Sequence, residues 1–196
     1  MQNEALPGRK ILEHVMAAMK KGDLRPGDRI IPKSIADRLG TSTIPVREAL
    51  FQLVGREMLV ERHREGFYVA PLNVVTLRSL YDQHERAIGI ALRAWREDQR
   101  RFGTSRDIWD VFATVVDRAR CPALSGVQRY LAGRLLPARA HEMSRATARE
   151  MAVALITAMR AGEATIIGQE CDRFHRQCME NAPMIIQRMT NDHSIF

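Results

Sequence analysis

The stretch that decides the fold of the N-terminal region is STIPVREALFQLV, residues 42–54. Its apolar residues recur at i, i+3, i+4, i+7 and i+8, which is the spacing of one buried face of an α-helix. Ser42 is suited to the N-cap of this helix, and Pro45 fits its first turn, where a missing N–H costs little. The predicted buried stripe is Val46, Ala49, Leu50, Leu53 and Val54, and the opposite face presents Thr43, Arg47, Glu48 and Gln52.

The segments before this helix predict two more helices and a short extended piece. Apolar residues at helical spacing indicate a first helix over residues 9–21. Residues 29–31 should be extended, because a proline follows them. A second helix from about residue 33 to residue 39 should end at Gly40, since glycine readily adopts the left-handed conformation that terminates helices. Its expected inward residues are Ile35, Ala36 and Leu39.

Two β-rich pieces after the third helix, at residues 59–61 and 67–70, flank a polar loop with a glycine and predict a hairpin. The order helix, short strand, helix, tight turn, helix, hairpin is that of a winged helix-turn-helix. In this motif the first turn of the third helix faces the DNA major groove, and the hairpin tip follows the backbone or the minor groove. The expected DNA-facing residues are Ser42, Thr43, Ile44 and Arg47 on the helix, and Arg62, His63 and Arg64 at the tip.

Pro71 marks a change of pattern, because only helical stripes follow it. The predicted fold is mainly α, with an N-terminal winged helix-turn-helix domain at residues 1–71 and a C-terminal all-α helical bundle of five or six helices at residues 72–196. The predicted helices of the bundle cover residues 74–101, 106–118, 122–136, 144–160 and 163–189.

Composition sets limits on the class of protein. The 196 residues are 45% hydrophobic and 27% charged, which excludes a disordered chain. The formal net charge of +7 is spread along the chain, so a nucleic-acid role must rest on a motif and not on a basic tail. Three cysteines are too few for a disulfide framework. A start without a basic and apolar leader, and no long apolar run, favour a cytoplasmic protein without a membrane anchor.

The N-terminal motifs resemble the GntR family of bacterial transcription regulators over residues 9–71. The resemblance rests on residues 24–30, on Gly40, on Pro45-Val46-Arg47-Glu48-Ala49-Leu50, and on Gly66 with Val69. It implies a DNA-binding repressor, or less often an activator, that acts as a homodimer on a palindromic operator in double-stranded DNA. By the same match Lys33 falls at a DNA-contacting position, and His63, Arg64 and Gly66 fall in the wing.

Three positions depart from the family pattern. Thr43 stands where the family has an arginine that contacts bases, and Ile44 stands where it has threonine. An isoleucine at a base edge favours the methyl group of thymine over a hydrogen-bonding edge. Glu57 replaces a glycine after the third helix, which predicts a less favourable helix end.

Each of the DNA-facing residues has a plainer explanation. Arg47 could instead form a surface ion pair, for example with Asp37, and Lys33 could be a solvated charge. Thr43 could be a simple first-turn residue, and the tip residues His63 and Arg64 could belong to a solvated loop.

The all-α domain resembles the FadR-type branch of the family, whose C-terminal domain senses a small molecule, often a carboxylic acid. Many members hold a divalent metal there with one aspartate and three histidines. The match places Ile108 at the aspartate and Phe112 at the first histidine, and residues 151–153 contain no second histidine. Only His175 remains, so we expect no metal and no other cofactor. The expected effector pocket comprises His84, Arg86, Ile108, Phe112, Arg134 and His175, with the arginines binding a carboxylate.

Cys171, His175 and Cys178 lie at i, i+4 and i+7 on one helix face, which permits a soft metal site or an enzyme that uses this face. Buried core is the simpler interpretation, because cysteine is among the most buried residue types. The arginines Arg86 and Arg134 could equally be solvated, and the bundle could serve dimerisation alone, with a vestigial sensor domain. The sequence shows no set of nucleophile, base and orienting group, so a regulator is preferred to an enzyme.

Overall fold

The computed structural model describes residues 7–94 and 107–191. The N-terminal part contains three helices and three strands: α1 (Pro7–Lys21), β1 (Arg29–Ile30), α2 (Pro32–Leu39), α3 (Thr43–Val54), β2 (Leu59–Arg62) and β3 (Gly66–Val69). The second part contains α4 (Val74–Arg93), α5 (Ile108–Arg118), α6 (Pro122–Arg134), a 3₁₀ helix (Leu136–Ala138), α7 (Arg145–Ala161), α8 (Ala164–Glu180) and α9 (Ala182–Asn191). The predicted fold class, a winged helix-turn-helix followed by a helical bundle, is confirmed.

The N-terminal part packs α1, α2 and α3 against a small antiparallel sheet of order β1-β3-β2. The hairpin pairs Leu59 with Val69 and Arg62 with Gly66. Gly40 ends α2 in the left-handed conformation, at φ 63°, as its residue type predicts. The buried residues of α3 are Val46, Ala49, Leu50 and Leu53, which is the stripe that the spacing predicts, with Val54 partly buried.

The second part has its own hydrophobic core, in which α4 packs against α5, α6 and α8. Asn73 caps α4, because its side chain accepts a hydrogen bond from the Thr76 N–H at 2.8 Å. Tyr81, Phe112 and Phe174 are among the largest fully buried side chains. No helix among the described residues is long and apolar enough to cross a lipid bilayer.

Two sequence predictions about the elements are wrong. The helix predicted over residues 163–189 is broken at Asn181 into α8 and α9. The sequence does not show this break, because the apolar period continues across it. Leu39 is 37% exposed and not buried, since it lies on the last turn of the short helix α2. The predicted continuation of α4 to residue 101 lies outside the described residues beyond residue 94.

The two parts are joined along a seam. Leu136, from the 3₁₀ helix, is buried in the N-terminal hydrophobic cluster. Gly133 is buried against Met58, and a Cβ atom at this glycine would lie 3.0 Å from the Met58 sulfur. An ion pair at 3.0 Å links Lys20 at the end of α1 to Asp107 at the start of α5. The N-terminal part therefore completes its core with residues from the second half of the chain.

Candidate nucleic-acid interface

The first turn of α3 projects into solvent. Ser42 occupies the N-cap position, but its side chain makes no capping hydrogen bond, so the prediction holds for the position and not for the bond. Ser42, Thr43 and Ile44 are exposed, and Ile44 is 69% accessible to solvent. An exposed isoleucine at a helix start has no packing role in the monomer. The turn has the exposure that contact with a base edge requires.

Arg47 lies one turn further along α3 and rests on aromatic rings. Its guanidinium carbon is 5.8 Å from the ring centre of Phe51 and 5.4 Å from that of Phe67. These two rings meet edge to face, with centres 5.0 Å apart. Within residues 7–94 and 107–191 no carboxylate forms an ion pair with Arg47, so the alternative of a surface ion pair with Asp37 finds no support. The aromatic rings hold the guanidinium while leaving its hydrogen-bond donors free.

The hairpin tip presents further cations. Arg62, His63 and Arg64 are all exposed, and the Arg62 guanidinium stacks over Tyr68 at 4.3 Å from the ring centre. The tip turns through Arg64 at φ 63° and Gly66 at φ 102°, values that favour glycine at the second position. Lys33, in the first turn of α2, is also exposed. The sequence-predicted cations of this region therefore all lie at the surface, where phosphate can reach them.

The contacts of Glu57 explain why this residue can stand where the family pattern has a glycine after α3. It adopts φ 55°, the left-handed conformation that a glycine takes without strain. Its side chain accepts a hydrogen bond from the Tyr130 hydroxyl at 2.9 Å, and its carbonyl accepts one from Arg134 at 2.6 Å. The strained turn is thus bonded to helix α6. A glycine here could keep the second bond but not the first.

Of the predicted effector-pocket residues, four come together in the core of the bundle. His84, Phe112 and His175 have ring centres within 5.0–5.3 Å of one another. Ile108 is buried in the hydrophobic core that includes Phe112. His175 Nδ1 lies 2.7 Å from the Cys171 carbonyl, so Nδ1 carries the proton and Nε2 accepts from His84 Nδ1–H at 2.7 Å. This chain of bonds fixes both tautomers.

The Gln128 side chain lies beside His84 at the other end of this group. His84 Nε2 and Gln128 Oε1 are both buried without a hydrogen-bond partner among the described residues. Turning the Gln128 amide over would place its N–H₂ group, a donor, toward the accepting nitrogen of His84. Burial lowers the pKa of His84 well below its ordinary value, with His175 adding to the effect, and burial lowers the pKa of His175 to about 4. Both rings are neutral at pH 7.

Arg86 and Arg134 do not join this cluster. Arg86 is exposed on α4 and pairs with Asp82 one turn away, with two bonds of 3.0 Å. Arg134 donates to the Glu57 carbonyl at the seam between the two parts. Abundant arginines on amphipathic helices face solvent by default, which the residue type alone does not reveal.

The face of Cys171, His175 and Cys178 is buried core. Both cysteines are buried, and burial raises the pKa of the Cys171 thiol to about 12 and that of Cys178 further still. A thiol with a raised pKa is a poor nucleophile and a poor metal ligand. No group of three His, Cys, Asp or Glu side chains in the described parts of the chain is arranged to hold a metal ion. Ile108 and Phe112, which the resemblance places at two metal-ligand positions, have no donor atom, and both ring nitrogens of His175 are at hydrogen-bond distance from other groups, so these residues do not fit a metal ion.

Sequence reasoning missed a second buried polar group, centred on Glu142. Glu142 is 5% exposed, and its carboxylate accepts from the Tyr81 hydroxyl at 2.8 Å and from the Trp109 indole N–H at 3.0 Å. Burial raises the pKa of Glu142, against the opposing effect of these two hydrogen bonds. Glu142 lies in the connection after the 3₁₀ helix, where no periodic pattern marks it as buried.

Comparison with known families identifies the N-terminal part. Residues 7–69 match the model of the bacterial regulatory proteins, gntR family. An uncharacterized HTH-type transcriptional regulator of Mycobacterium tuberculosis is 30% identical over 82 residues, which is 42% of this chain and 34% of that protein. The HTH-type transcriptional regulator McbR of Escherichia coli is 35% identical over 74 residues, or 33% of this chain and 34% of that protein. The chain thus matches about a third of the length of these curated relatives.

Solved structures resemble the chain over most of its length. Escherichia coli McbR/YncC superposes with a TM-score of 0.67 at 19% identity, over 92% of this chain and 97% of that one. A GntR protein of Rhodococcus sp. RHA1 gives 0.70 at 14% identity with the same coverage. At these identities the likeness establishes the fold, including the helical bundle, and nothing finer.

Proposed function

Residues 7–69 form a GntR-family winged helix-turn-helix domain, and on this premise we propose that the protein is a sequence-specific DNA-binding transcriptional regulator. The observation that carries the proposal is the leading turn of α3. Thr43, Ile44 and Arg47 are exposed there, opposite the buried stripe of the same helix. A recognition helix needs this division, because one face must pack while the other enters the major groove.

The exposed residues suggest separate roles at the DNA. Arg47, held over Phe51 and Phe67, is placed to donate to a base edge or a phosphate. Ile44 offers an apolar contact to the methyl group of thymine. The exposed cations at Lys33, Arg62 and Arg64 suit phosphates, which position the domain without reading sequence.

The assembly proposed for the protein is a homodimer on a palindromic operator, where it acts as a repressor. Two copies of α3 would occupy successive major grooves, and the helical part would join the copies and sense a small organic acid. An effector acts in such a dimer only through different affinities for the DNA-competent and DNA-incompetent arrangements. Helical sensing domains of the FadR type support this proposal by resemblance, with a polar chain of His84 and His175 in place of a metal.

The test is DNA binding after selection of the preferred sequence from random duplexes. Arg47→Ala should weaken binding to the selected sequence about 5- to 150-fold, the equivalent of about 1–3 kcal/mol for a direct base contact. Fluorescence anisotropy at physiological salt measures it. Arg129→Ala, at an exposed arginine on α6, is the matched control and should leave binding unchanged. Selection that yields no preferred sequence, or equal binding by both variants, would contradict the proposal.

A further inference from the structure

A cleft opens where the two parts of the molecule meet. It lies between the end of α1, the start of α5, the connection after the 3₁₀ helix and the start of α7. Its volume is about 520 Å³. This falls within the range of small-molecule sites, about 300–1,000 Å³. His84 and His175 are packed inside the bundle and do not line the cleft, although the cleft-lining Trp109 contacts His84.

Positive charge predominates in the cleft. Its basic residues are Lys20, Lys21, Arg139, Arg145 and Arg149, and its acidic residues are Asp107 and Glu142. Both acids are engaged: Asp107 caps α5 through the Trp109 N–H at 2.9 Å and pairs with Lys20, and Glu142 accepts from Tyr81 and Trp109. Within the described residues, Lys21, Arg145 and Arg149 have no ion-pair partner. Three cations are therefore available to an incoming anion.

Arg139 gives the cleft a polar floor. Its guanidinium lies 4.0 Å from the ring centre of Trp109, and one terminal nitrogen donates to the Ala132 carbonyl at 2.8 Å. The Arg139 Nε is buried and has no hydrogen-bond partner in the described parts of the chain. Because this atom has almost no accessible surface, a ligand in the cleft would contact Arg139 elsewhere on its side chain. Met143 and Ala148 add apolar surface beside these charges.

We propose that this cleft binds a small organic acid, with its carboxylate among Arg139, Arg149 and Lys21 and its apolar part against Met143 and Ala148. The regulatory meaning of the site rests on the proposed function, because the cleft joins the DNA-binding part to the bundle. An anion beside Lys20 competes with Asp107 for the ammonium group that links α1 to α5. Trp109 also contacts the buried His84, with ring centres 4.8 Å apart, so a bound acid would lie one ring away from the polar core.

The experiment uses the full chain without DNA. The sequence has two tryptophans, and Trp95→Phe leaves Trp109 as the only indole fluorophore. Phenylacetate is titrated while Trp109 emission is followed, and calorimetry gives the affinity independently. Phenylacetamide, which has the same shape without the charge, and inorganic phosphate, which has the charge without the apolar part, are the comparison probes.

Phenylacetate should bind saturably at millimolar concentration or below, at least about tenfold more tightly than either comparison probe. The double variant Lys21→Ala with Arg149→Ala should lose about tenfold in affinity, and Arg129→Ala should lose nothing. Both replaced residues are exposed, so the variants should fold, which circular dichroism checks.

No saturable binding, equal binding of phenylacetate and phenylacetamide, phosphate binding as tightly as phenylacetate, or full affinity in the double variant would each overturn the assignment. Because binding is measured without DNA, these results are separate from the Arg47→Ala test. Loss of DNA recognition would end the regulatory proposal and leave the acid site standing.

Discussion

The two parts of the molecule use polar side chains in opposite ways. In the winged helix the candidate functional groups stand in solvent: Ile44 is 69% exposed, and Arg47 and the hairpin tip are exposed. In the bundle the polar groups of interest are enclosed, with His84 and His175 fully buried and Glu142 5% exposed. Solvated groups are free to engage a partner, whereas enclosed ones must satisfy each other. Substitution of the exposed groups should therefore alter binding with little effect on stability. Substitution of the buried groups should lower stability with little effect on binding.

Phe112→Ala should show the largest effect on stability. Phe112 is fully buried and its ring contacts His84, Phe174 and His175, so truncation leaves a cavity in the bundle core. We expect a loss of about 3–5 kcal/mol in the free energy of unfolding, measured by urea denaturation. Phe51→Ala is the matched control: that ring is 43% exposed, and the loss should be far smaller. Equal losses would break the contrast between the two parts.

Acid should destabilise the bundle through its buried imidazoles. Because burial lowers the pKa of folded His175 to about 4, the unfolded chain binds a proton at higher pH than the folded one. The stabilising contribution is present above about pH 6.5 and is lost as the pH falls toward 4, by up to about 3 kcal/mol. NMR titration of the imidazole signals measures the pKa of folded His175, on which this loss depends. His63→Gln, at the exposed hairpin tip, should leave the titration of the buried rings unchanged. A His175 titration near pH 6.5 would show that its burial carries no such penalty.

Glu57 should show the smallest effect and the most specific one. At φ 55° an alanine keeps the left-handed strain that a glycine relieves. We therefore expect Glu57→Gly to be more stable than Glu57→Ala by about 1 kcal/mol. At neighbouring Arg56, which is not left-handed, the order should be reversed, with alanine the better residue. The same order at both positions in thermal unfolding would contradict the strain at Glu57.

The two parts of the molecule also differ in how much of their structure could be predicted from the sequence. The stripe from Val46 to Leu53 and the glycine at position 40 follow from local rules of periodicity and backbone conformation, so the winged helix was predictable in detail. The break at Asn181 was not, because the apolar period continues on both sides of it. Nor were the pairing of His84 with His175 and the burial of Glu142. These depend on which helices meet, and the partners lie 91 and 33 to 61 residues apart in the chain.

The candidate DNA-facing residues were identified in sequence because they belong to one local motif, whereas the bundle arginines were not distinguishable. Arg86 and Arg134 have the residue type that binds carboxylates, yet Arg86 pairs with Asp82 and Arg134 bonds the turn after α3. Arg139, with the same residue type, lines the cleft. Only the packing of elements separates these three, and no spacing in the sequence encodes it.

The burial of Leu136 among residues of the first part has a consequence for engineering. A chimera cut at residue 71 would leave the N-terminal part with an uncovered patch at the position of Leu136. Met58 would also lose its contact with Gly133. Transfer of the N-terminal part to another protein therefore requires carrying residues 130–138 with it, together with the two hydrogen bonds that hold Glu57. The modular unit of exchange is discontinuous in the chain.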